Sequence, residues 1–294
     1  MNYRVLLFYK YVWIENPQEI VNEHLQWCLQ NDIKGRVFIA PEGINGTVSG
    51  ATENIENYKI HIRSFHPFND IWFKEDETEN HAFNKIQVRL KKEIVNSGLE
   101  EVSPDNGGKR LSPDELIKFY NEGKDFIIVD ARNWYESRIG RFKNALTPHM
   151  KNFRGWRHVA EQLKDKKDKT IVTYCTGGVR CEKASAYLVK KGFKDVYQLD
   201  GGIINFIKKY SDTYWVGGVF VFDERRVVDI NSNEELKYIS KCHFCGKPTS
   251  YYINCHNLQC DKLFVCCHDC KVKYDYCCSD KCRASSSKRS KYYG

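Results

Sequence analysis

The stretch Thr170-Ile-Val-Thr-Tyr-Cys-Thr-Gly-Gly-Val-Arg180 decides the fold of the central part of the chain. Its first five residues are β-branched or aromatic, which is typical of a buried strand, and this strand is expected to end at Cys175. Gly177 and Gly178 then lead into a helical pattern that continues to Lys191. Strands that alternate with helices form parallel sheets, and ligands bind beyond the carboxyl ends of such strands. We therefore predict an α/β domain with a parallel sheet and place Cys175 at its functional edge.

The residues around Cys175 have the features that lower the pKa of a thiol. Gly177 and Gly178 allow backbone N–H groups to turn inward as an anion nest, and the start of the next helix adds its dipole. Arg180 adds a full positive charge. We therefore predict that Cys175 is a reactive thiolate, whereas the alternative is a buried and inert core cysteine. The predicted active-site loop consists of Cys175, Thr176, Gly177, Gly178, Val179 and Arg180.

Cys181 directly follows Arg180 and allows two interpretations. It can assist Cys175 by resolving an oxidised form of that cysteine, as paired redox cysteines do. It can equally be a small helical residue that faces the core.

Residues 1–100 show the element order of a ferredoxin-like α+β domain. A strand over Arg4–Tyr11 precedes a helix that begins at Pro17. Two short strands, a second helix over Thr52–Phe65 and two further strands follow. This β-α-β-β-α-β order predicts a sheet covered by two helices.

The rest of the chain divides at changes in composition. The polar segment from Glu100 to Arg110 is predicted to be a linker, and the parallel-sheet domain covers 111–212. Its first helix begins with a capping box, in which Ser112 is the N-cap and Glu115 the third helical residue. A cysteine-rich module is predicted over 240–283, and a mobile basic tail over 284–294.

The cysteines indicate metal binding. The chain has 13 cysteines, ten of them between Cys242 and Cys282, which argues against a disulfide framework. Four consecutive pairs have the spacing of thiolate ligands, and a tetrahedral zinc ion takes two pairs. We predict two structural zinc ions and leave the pairing of their ligands open; one arrangement combines the first pair with the third and the second with the fourth. The predicted ligands are Cys242, Cys245, Cys255, Cys260, Cys267, Cys270, Cys278 and Cys282.

Five further residues of this region are alternative ligands. Cys266 and Cys277 are spare thiols that can exchange with a neighbour, and three histidines can substitute for a thiolate. The histidines are His243, His256 and His268.

The central domain resembles a rhodanese domain. The segment Asp130-Ala-Arg132, followed by Tyr135-Glu136, is similar to the first motif of that family, and CTGGVR is similar to its active-site loop. The resemblance implies that Asp130 and Arg132 brace the loop from a neighbouring strand end. Related phosphatases have five residues between cysteine and arginine, but here only four separate Cys175 from Arg180, which disfavours phosphatase activity.

A longer resemblance covers essentially the whole chain. The strings KGRVFIAPEGINGTVSG, HAFNKIQVRLKKEIV, CTGGVRCEKASAYL and YQLDGGI are similar to those of the bacterial tRNA uridine hydroxylase family. This resemblance implies an enzyme that uses O2 to convert the wobble uridine of tRNA into 5-hydroxyuridine, with Cys175 as its active-site cysteine. The sequence shows no flavin, nicotinamide or iron motif, which agrees with a family that works without these cofactors.

Two other functions remain open from the residues themselves. The same nucleophile suits a sulfurtransferase or persulfide carrier. A non-catalytic zinc- and RNA-binding redox regulator is the other alternative, although the intact Cys175, Arg180, Asp130 and Arg132 argue against it.

Composition and charge agree with a tRNA substrate. Hydrophobic residues make up 41% and charged residues 29%, the net charge is +8, and no apolar run approaches the roughly 18 residues of a membrane span. We therefore expect a cytoplasmic protein that does not bind membranes. Phe83 is a candidate for stacking on a base of the anticodon region, and Arg89, Lys91 and Lys92 are candidates for RNA contacts; the alternative is a half-buried Phe83 beside solvated lysines.

Overall fold

The computed structural model describes residues 2–211, 213–228 and 238–290. An N-terminal domain, a central domain and a C-terminal module follow one another in this part of the chain. Among the described residues, no helix is both long enough and apolar enough to span a bilayer.

The N-terminal domain is a five-stranded sheet with two helices. Its elements are β1 (Tyr3–Tyr11), α1 (Pro17–Gln30), β2 (Lys34–Ala40), β3 (Gly43–Ala51), α2 (Thr52–Ser64), β4 (Phe73–Thr78) and β5 (Ile86–Leu90). The strand order is β4-β1-β3-β2-β5, and every neighbouring pair is antiparallel except β2 with β5. The first four strands and both helices form the predicted ferredoxin-like arrangement, and β5 extends the sheet by one strand.

The two faces of this sheet have different neighbours. Leu6 and Phe8 of β1 are buried in one core with Ile55 and Tyr58 of α2. Because successive side chains of a strand point to opposite faces, Leu7 lies on the side away from the helices. We call this side the open face; it carries Leu7, Tyr9, Arg36, Phe38, Asn45, Thr47, Lys74 and Arg89, which are aligned by the strand register.

The central domain is a parallel sheet between helices. Its elements are β6 (Lys109–Leu111), α3 (Pro113–Asn121), β7 (Phe126–Asp130), α4 (Trp134–Ile139), β8 (Gly140–Phe142), α5 (Trp156–Gln162), β9 (Thr170–Tyr174), α6 (Val179–Lys190), β10 (Asp195–Leu199), α7 (Gly202–Tyr210) and β11 (Trp215–Gly217). The order β6-β10-β9-β7 is parallel throughout, which confirms the predicted α/β class. Strands β8 and β11 pair separately.

Local signals locate several boundaries of this domain. The capping box of α3 forms as predicted, because the Ser112 side chain accepts from the Glu115 backbone and Glu115 bonds back to Ser112. Strand β9 has the bounds expected from the sequence. The predicted linker, however, is partly strand: Lys109 and Arg110 belong to β6, because their backbone pairs with β10.

A buried lysine joins the N-terminal and central domains. Lys183 of α6 is 1% exposed, and its ammonium lies 2.7 Å from a Glu42 carboxylate oxygen and 3.1 Å from one of Glu93. Glu42 lies in the turn between β2 and β3, and Glu93 follows β5. A buried charge requires compensation, so these carboxylates hold the N-terminal sheet against α6.

The C-terminal part begins with a short hairpin and continues as a small module. The hairpin consists of β12 (Val219–Phe220) and β13 (Val227–Val228), and the module contains β14 (Tyr252–Asn254), β15 (Leu263–Val265), α8 (His268–Lys273) and α9 (Asp280–Arg283). The basic tail is anchored where it is described, contrary to the predicted mobility, because Lys288 pairs with Asp275 and Arg289 with Asp261. Residues 291–294 of that tail lie outside the described part.

Candidate active site

The Cys175 loop connects β9 to α6 and bends around the cysteine sulfur. The backbone N–H of Gly178 donates to the Cys175 Sγ over 3.1 Å. Gly178 has φ = +104°, a conformation that a side chain would strain, so glycine is required for this N–H to face inward. Cys175 itself is completely buried.

The surroundings of Cys175 favour its negative form. Burial alone would raise the pKa of this thiol, but three opposing influences lower it to about 6. They are a hydrogen bond from the Cys181 thiol, the charge of Arg180 and the backbone N–H groups of Arg180 and Cys181. Burial and the neighbouring Cys175 raise the pKa of Cys181 far above its usual value, so Cys181 stays protonated as the donor. The thiol of Cys181, at the start of α6, therefore lies next to the Cys175 sulfur, and the two have different protonation states at neutral pH.

Arg180 is held by a residue that the sequence did not single out as part of the site. Its guanidinium makes a bidentate pair with the Glu136 carboxylate, at 2.6 and 2.8 Å. Glu136 is fully buried in α4, and although burial favours its protonated form, Arg180 keeps the pKa of Glu136 below its usual value. Only its place in the first rhodanese-like motif could have indicated this role.

Asp130 and Arg132 form a second buried pair, one step away from the loop. The Arg132 guanidinium donates to both Asp130 carboxylate oxygens, at 2.9 and 2.7 Å, and to the Gly140 carbonyl. Tyr174, which precedes Cys175, donates its hydroxyl to Asp130 over 2.7 Å. These residues therefore fix the end of β9, whereas Glu136 makes the direct bond to a loop side chain.

The open face of the N-terminal sheet covers the loop. The Lys74 ammonium donates to the Gly177 carbonyl over 2.8 Å, and Tyr11 donates to the Val179 carbonyl over 3.2 Å. A Cβ atom on Gly177 would come within 2.7 Å of the Leu7 side chain, so glycine also permits this close approach. Burial lowers the pKa of Lys74 to about 8. No pattern in the sequence indicated this contact between distant segments.

A cavity of about 530 Å³ lies beside this contact, between the two domains. Trp72, Lys74 and Arg110 contribute to its wall. The Arg110 guanidinium is paired with Glu182 at 2.7 Å and with Asp200 at 3.0 Å. Cys175 does not line this cavity.

The predicted RNA-binding residues have different environments. Phe83 is 9% exposed and packs with Val5 and Ala82, so the prediction that it offers a surface for base stacking is wrong. Tertiary packing buries Phe83, and the polar residues next to it in sequence did not indicate this burial. Arg89, Lys91 and Lys92 are exposed, as phosphate contacts require.

The eight predicted metal ligands form two groups in the module. One group combines the first pair with the third, and the other combines the second with the fourth; within each, the sulfur atoms lie within 4.8 Å of one another. Tetrahedral zinc with bonds of about 2.3 Å separates its sulfurs by about 3.8 Å. The sulfurs of Cys245 and Cys267 are 3.7 Å apart, as are those of Cys260 and Cys278. Both donor sets therefore fit a tetrahedral, thiolate-binding metal.

The alternative ligands remain outside these groups. Cys266 and Cys277 are buried in the module core. His256 stacks on Tyr276, and the ring of His268 lies 4.0 Å from that of Tyr251. These four side chains serve packing in the described module.

Comparisons with known proteins agree with this architecture. Residues 3–94 match the family described as UPF0176 acylphosphatase like domain, 112–209 match the rhodanese-like domain and 216–283 match the rhodanase C-terminal family. A protein of Acholeplasma laidlawii named tRNA uridine(34) hydroxylase is 45% identical, over 98% of this chain and 92% of its own. The protein of that name from Staphylococcus haemolyticus is also 45% identical, over 99% and 92%. A rhodanese-like domain protein from Staphylococcus aureus, known as a crystal structure, is 28% identical over 33% of this chain and 90% of its own, with a TM-score of 0.29.

The Cys175 environment predicts an unusual pH dependence of thiol ionisation. Because the sulfur is buried, its ionisation is followed by the ultraviolet absorbance of the thiolate, taken as the difference between the unaltered protein and Cys175→Ala. We expect this absorbance to rise through about pH 6 and level off by neutral pH. Cys181→Ala removes a hydrogen-bond donor to the thiolate, so the midpoint should move to higher pH. Cys181→Ser retains a hydroxyl donor and should show a smaller shift. A midpoint near pH 8.5 in the unaltered protein would contradict the proposed thiolate.

Proposed function

Because the chain belongs to the tRNA uridine(34) hydroxylase family, we propose that Cys175 is the nucleophile of an oxygen-dependent conversion of the wobble uridine into 5-hydroxyuridine. The observation that carries this proposal is the buried Cys175 sulfur, which is surrounded by N–H donors, a thiol donor and the charge of Arg180. A thiolate of this kind is available for attack at neutral pH.

The first proposed step activates the pyrimidine ring. The Cys175 thiolate adds to carbon 6 of uracil, the double bond between carbons 5 and 6 breaks, and its electron pair moves to carbon 5 as an enolate. The enolate then transfers electrons to O2, a carbon–oxygen bond forms at carbon 5, and a proton completes a hydroperoxide. The protein provides the nucleophile and its position, whereas the oxidant is O2 itself.

Cys181 is proposed as the thiol that reduces this hydroperoxide. Attack on the outer oxygen leaves a hydroxyl on carbon 5 and a sulfenic acid on Cys181. Loss of the proton from carbon 5 and of the Cys175 sulfur from carbon 6 restores the double bond. Cys175 then displaces water from the sulfenic acid, and a dithiol reductant reopens the resulting disulfide. In sum, uridine, O2 and a dithiol give 5-hydroxyuridine, water and a disulfide.

We propose that the tRNA approaches along the open face. Residues that are aligned across the strands form rows on this face. In one row, Arg36 lies two strands from Leu7. In the neighbouring row, Arg89 lies next to Phe38, and the Lys91 ammonium lies 5.4 Å from the centre of the Phe38 ring. Strands are about 4.8 Å apart, so these cations begin roughly 10 Å from the Leu7 contact with the loop. That spacing suits phosphates of the anticodon region when its wobble base is at the loop.

The two cysteine groups are proposed to hold zinc. Closed sites with four thiolates are structural, so the metal would stabilise the module, and its ligands would be the eight cysteines of the two groups.

Isotope labelling tests the proposed reaction. With 18O2, tRNA and a dithiol, the wobble nucleoside should gain one 18O atom, and Cys175→Ala should reduce this product by at least about a hundredfold because the nucleophile is missing. Cys28→Ala, which removes a buried cysteine of the N-terminal domain, is the control and should remain active. Full activity of Cys175→Ser would contradict the mechanism. A gain of sulfur instead of oxygen would establish the sulfurtransferase.

Charge reversal on the open face tests the RNA path. Arg89→Glu combined with Lys91→Glu should weaken tRNA binding and reduce its salt dependence, since the logarithmic slope falls by about 0.7–0.9 per lost phosphate contact. Lys118→Glu combined with Lys166→Glu reverses the same number of exposed charges elsewhere and gives the effect of charge alone. If both variants respond equally to salt, the open face does not bind the RNA.

Metal analysis tests the module. Protein purified without chelator should contain two zinc ions per chain, and Cys245→Ala or Cys260→Ala should each lose about one because a ligand is removed. Cys266→Ala changes a neighbouring cysteine outside both groups and should retain two. A content well below one ion in the unaltered protein would contradict the assignment.

A further inference from the structure

Phe222 is an exposed aromatic residue in an otherwise buried segment. The side chains of Val219, Phe220, Val221 and Asp223 are 1, 3, 8 and 9% exposed, whereas Phe222 is 49% exposed. The first two form β12, and Asp223 begins the turn that leads to β13. An exposed phenyl ring gains little from folding, and single exposed apolar residues are common, so a role in binding must be argued from its surroundings.

The ring of Phe222 lies at the active-site loop. Its centre is 5.9 Å from the guanidinium carbon of Arg180, the last loop residue. The Arg180 guanidinium also lies 3.4 Å from the Thr176 hydroxyl, so it connects the ring to the residue next to Cys175. A planar ligand stacked on Phe222 would therefore be beside the loop.

Contacts with the N-terminal domain and with the C-terminal module fix the position of Phe222. Arg225 makes a bidentate pair with Asp223, at 3.0 and 2.8 Å, and reaches Asp76 of β4 at 3.1 Å. On the other side, the Phe222 ring packs edge-on against Phe220, which stacks on Tyr252 of the module with 4.6 Å between ring centres. A rigid ring loses little entropy when a ligand stacks on it.

Trp72 is the competing exposed aromatic residue near the loop, but its setting differs. It is 56% exposed, and the Lys74 ammonium lies 4.6 Å from the centre of its ring. It lines the interdomain cavity, to which Cys175 does not contribute. Its ring therefore borders the interdomain cavity, on the Gly177 side of the loop.

We propose that Phe222 binds the target uracil by stacking on its face and so presents the ring to the Cys175 loop. This assignment rests on the proposed function and adds the binding residue for the base. Aromatic side chains bind unstacked bases in this way, because every base has a flat π surface. Phe222 is thus a substrate-binding residue, and it replaces Phe83 in the role predicted from the sequence.

A base-deletion experiment isolates this contact. In full-length protein carrying Cys175→Ala, which prevents turnover, affinity is measured for an anticodon stem-loop with uridine at the wobble position and for the same RNA with an abasic site there. Phe222→Ala should weaken binding of the uridine RNA by about tenfold and leave that of the abasic RNA unchanged. Phe222→Trp should retain the preference, and Phe222→Leu, apolar but not aromatic, should lose most of it.

Trp72→Ala is the matched control and should keep the preference for uridine. Equal weakening of both RNAs by Phe222→Ala, or no weakening, would overturn the assignment. If Phe222→Ala does not fold, as judged by thermal denaturation, the Trp and Leu variants decide. Hydroxylation is measured separately in protein with unaltered Cys175. If no product forms but the preference for uridine depends on Phe222, the proposed reaction is rejected and the stacking is not. If product forms but the preference does not depend on Phe222, only the stacking is rejected.

Discussion

A negative sulfur buried at the end of β9 is the constraint on which the site depends. Burial opposes the charge of Cys175, so N–H donors, the Cys181 thiol and Arg180 must all be held close to it. Arg180 is itself buried and needs a counter-charge, which Glu136 supplies from α4. Removing either member of that pair would leave a buried charge unpaired, at a cost of about 3–5 kcal/mol. The reactivity of one atom is therefore tied to the packing of the central domain.

The β-α-β-β-α-β topology leaves one face of the N-terminal sheet free of helices, and this face contacts the active-site loop. Glycines 177 and 178 allow N–H groups to turn toward the sulfur, and their lack of side chains also lets Leu7 and Tyr9 approach the loop. Lys74 adds a positive charge to this otherwise apolar and aromatic contact. The cover excludes water from Cys175, and it places the exposed cations of the sheet within a short distance of the loop. The contact that shields the thiolate and the exposed cations therefore belong to one surface.

Much of the fold and of the site could be predicted from the sequence, because it depends on interactions between neighbouring residues. The strand over Thr170–Tyr174, the capping box at Ser112 and the spacing of the cysteine pairs all depend on residues close in sequence, and the structure has each of them. Glu136, Lys74 and Phe222 could not be found in this way, because their importance comes from contacts between distant segments. The prediction for Phe83 was wrong for the same reason: its polar neighbours in sequence suggested exposure, but packing against Val5 buries it.

A series of aromatic contacts connects the C-terminal module to the active-site loop. Tyr252 of β14 stacks on Phe220, Phe220 packs against Phe222, and Phe222 lies against Arg180. Strand β14 lies between the first and second cysteine pairs in sequence, and its backbone pairs with β15 inside the same small core. A module too small to form a large apolar core depends on its metal ligands for a fixed shape. Metal ions far from the reacting atoms would therefore act on substrate binding through the position of one aromatic ring.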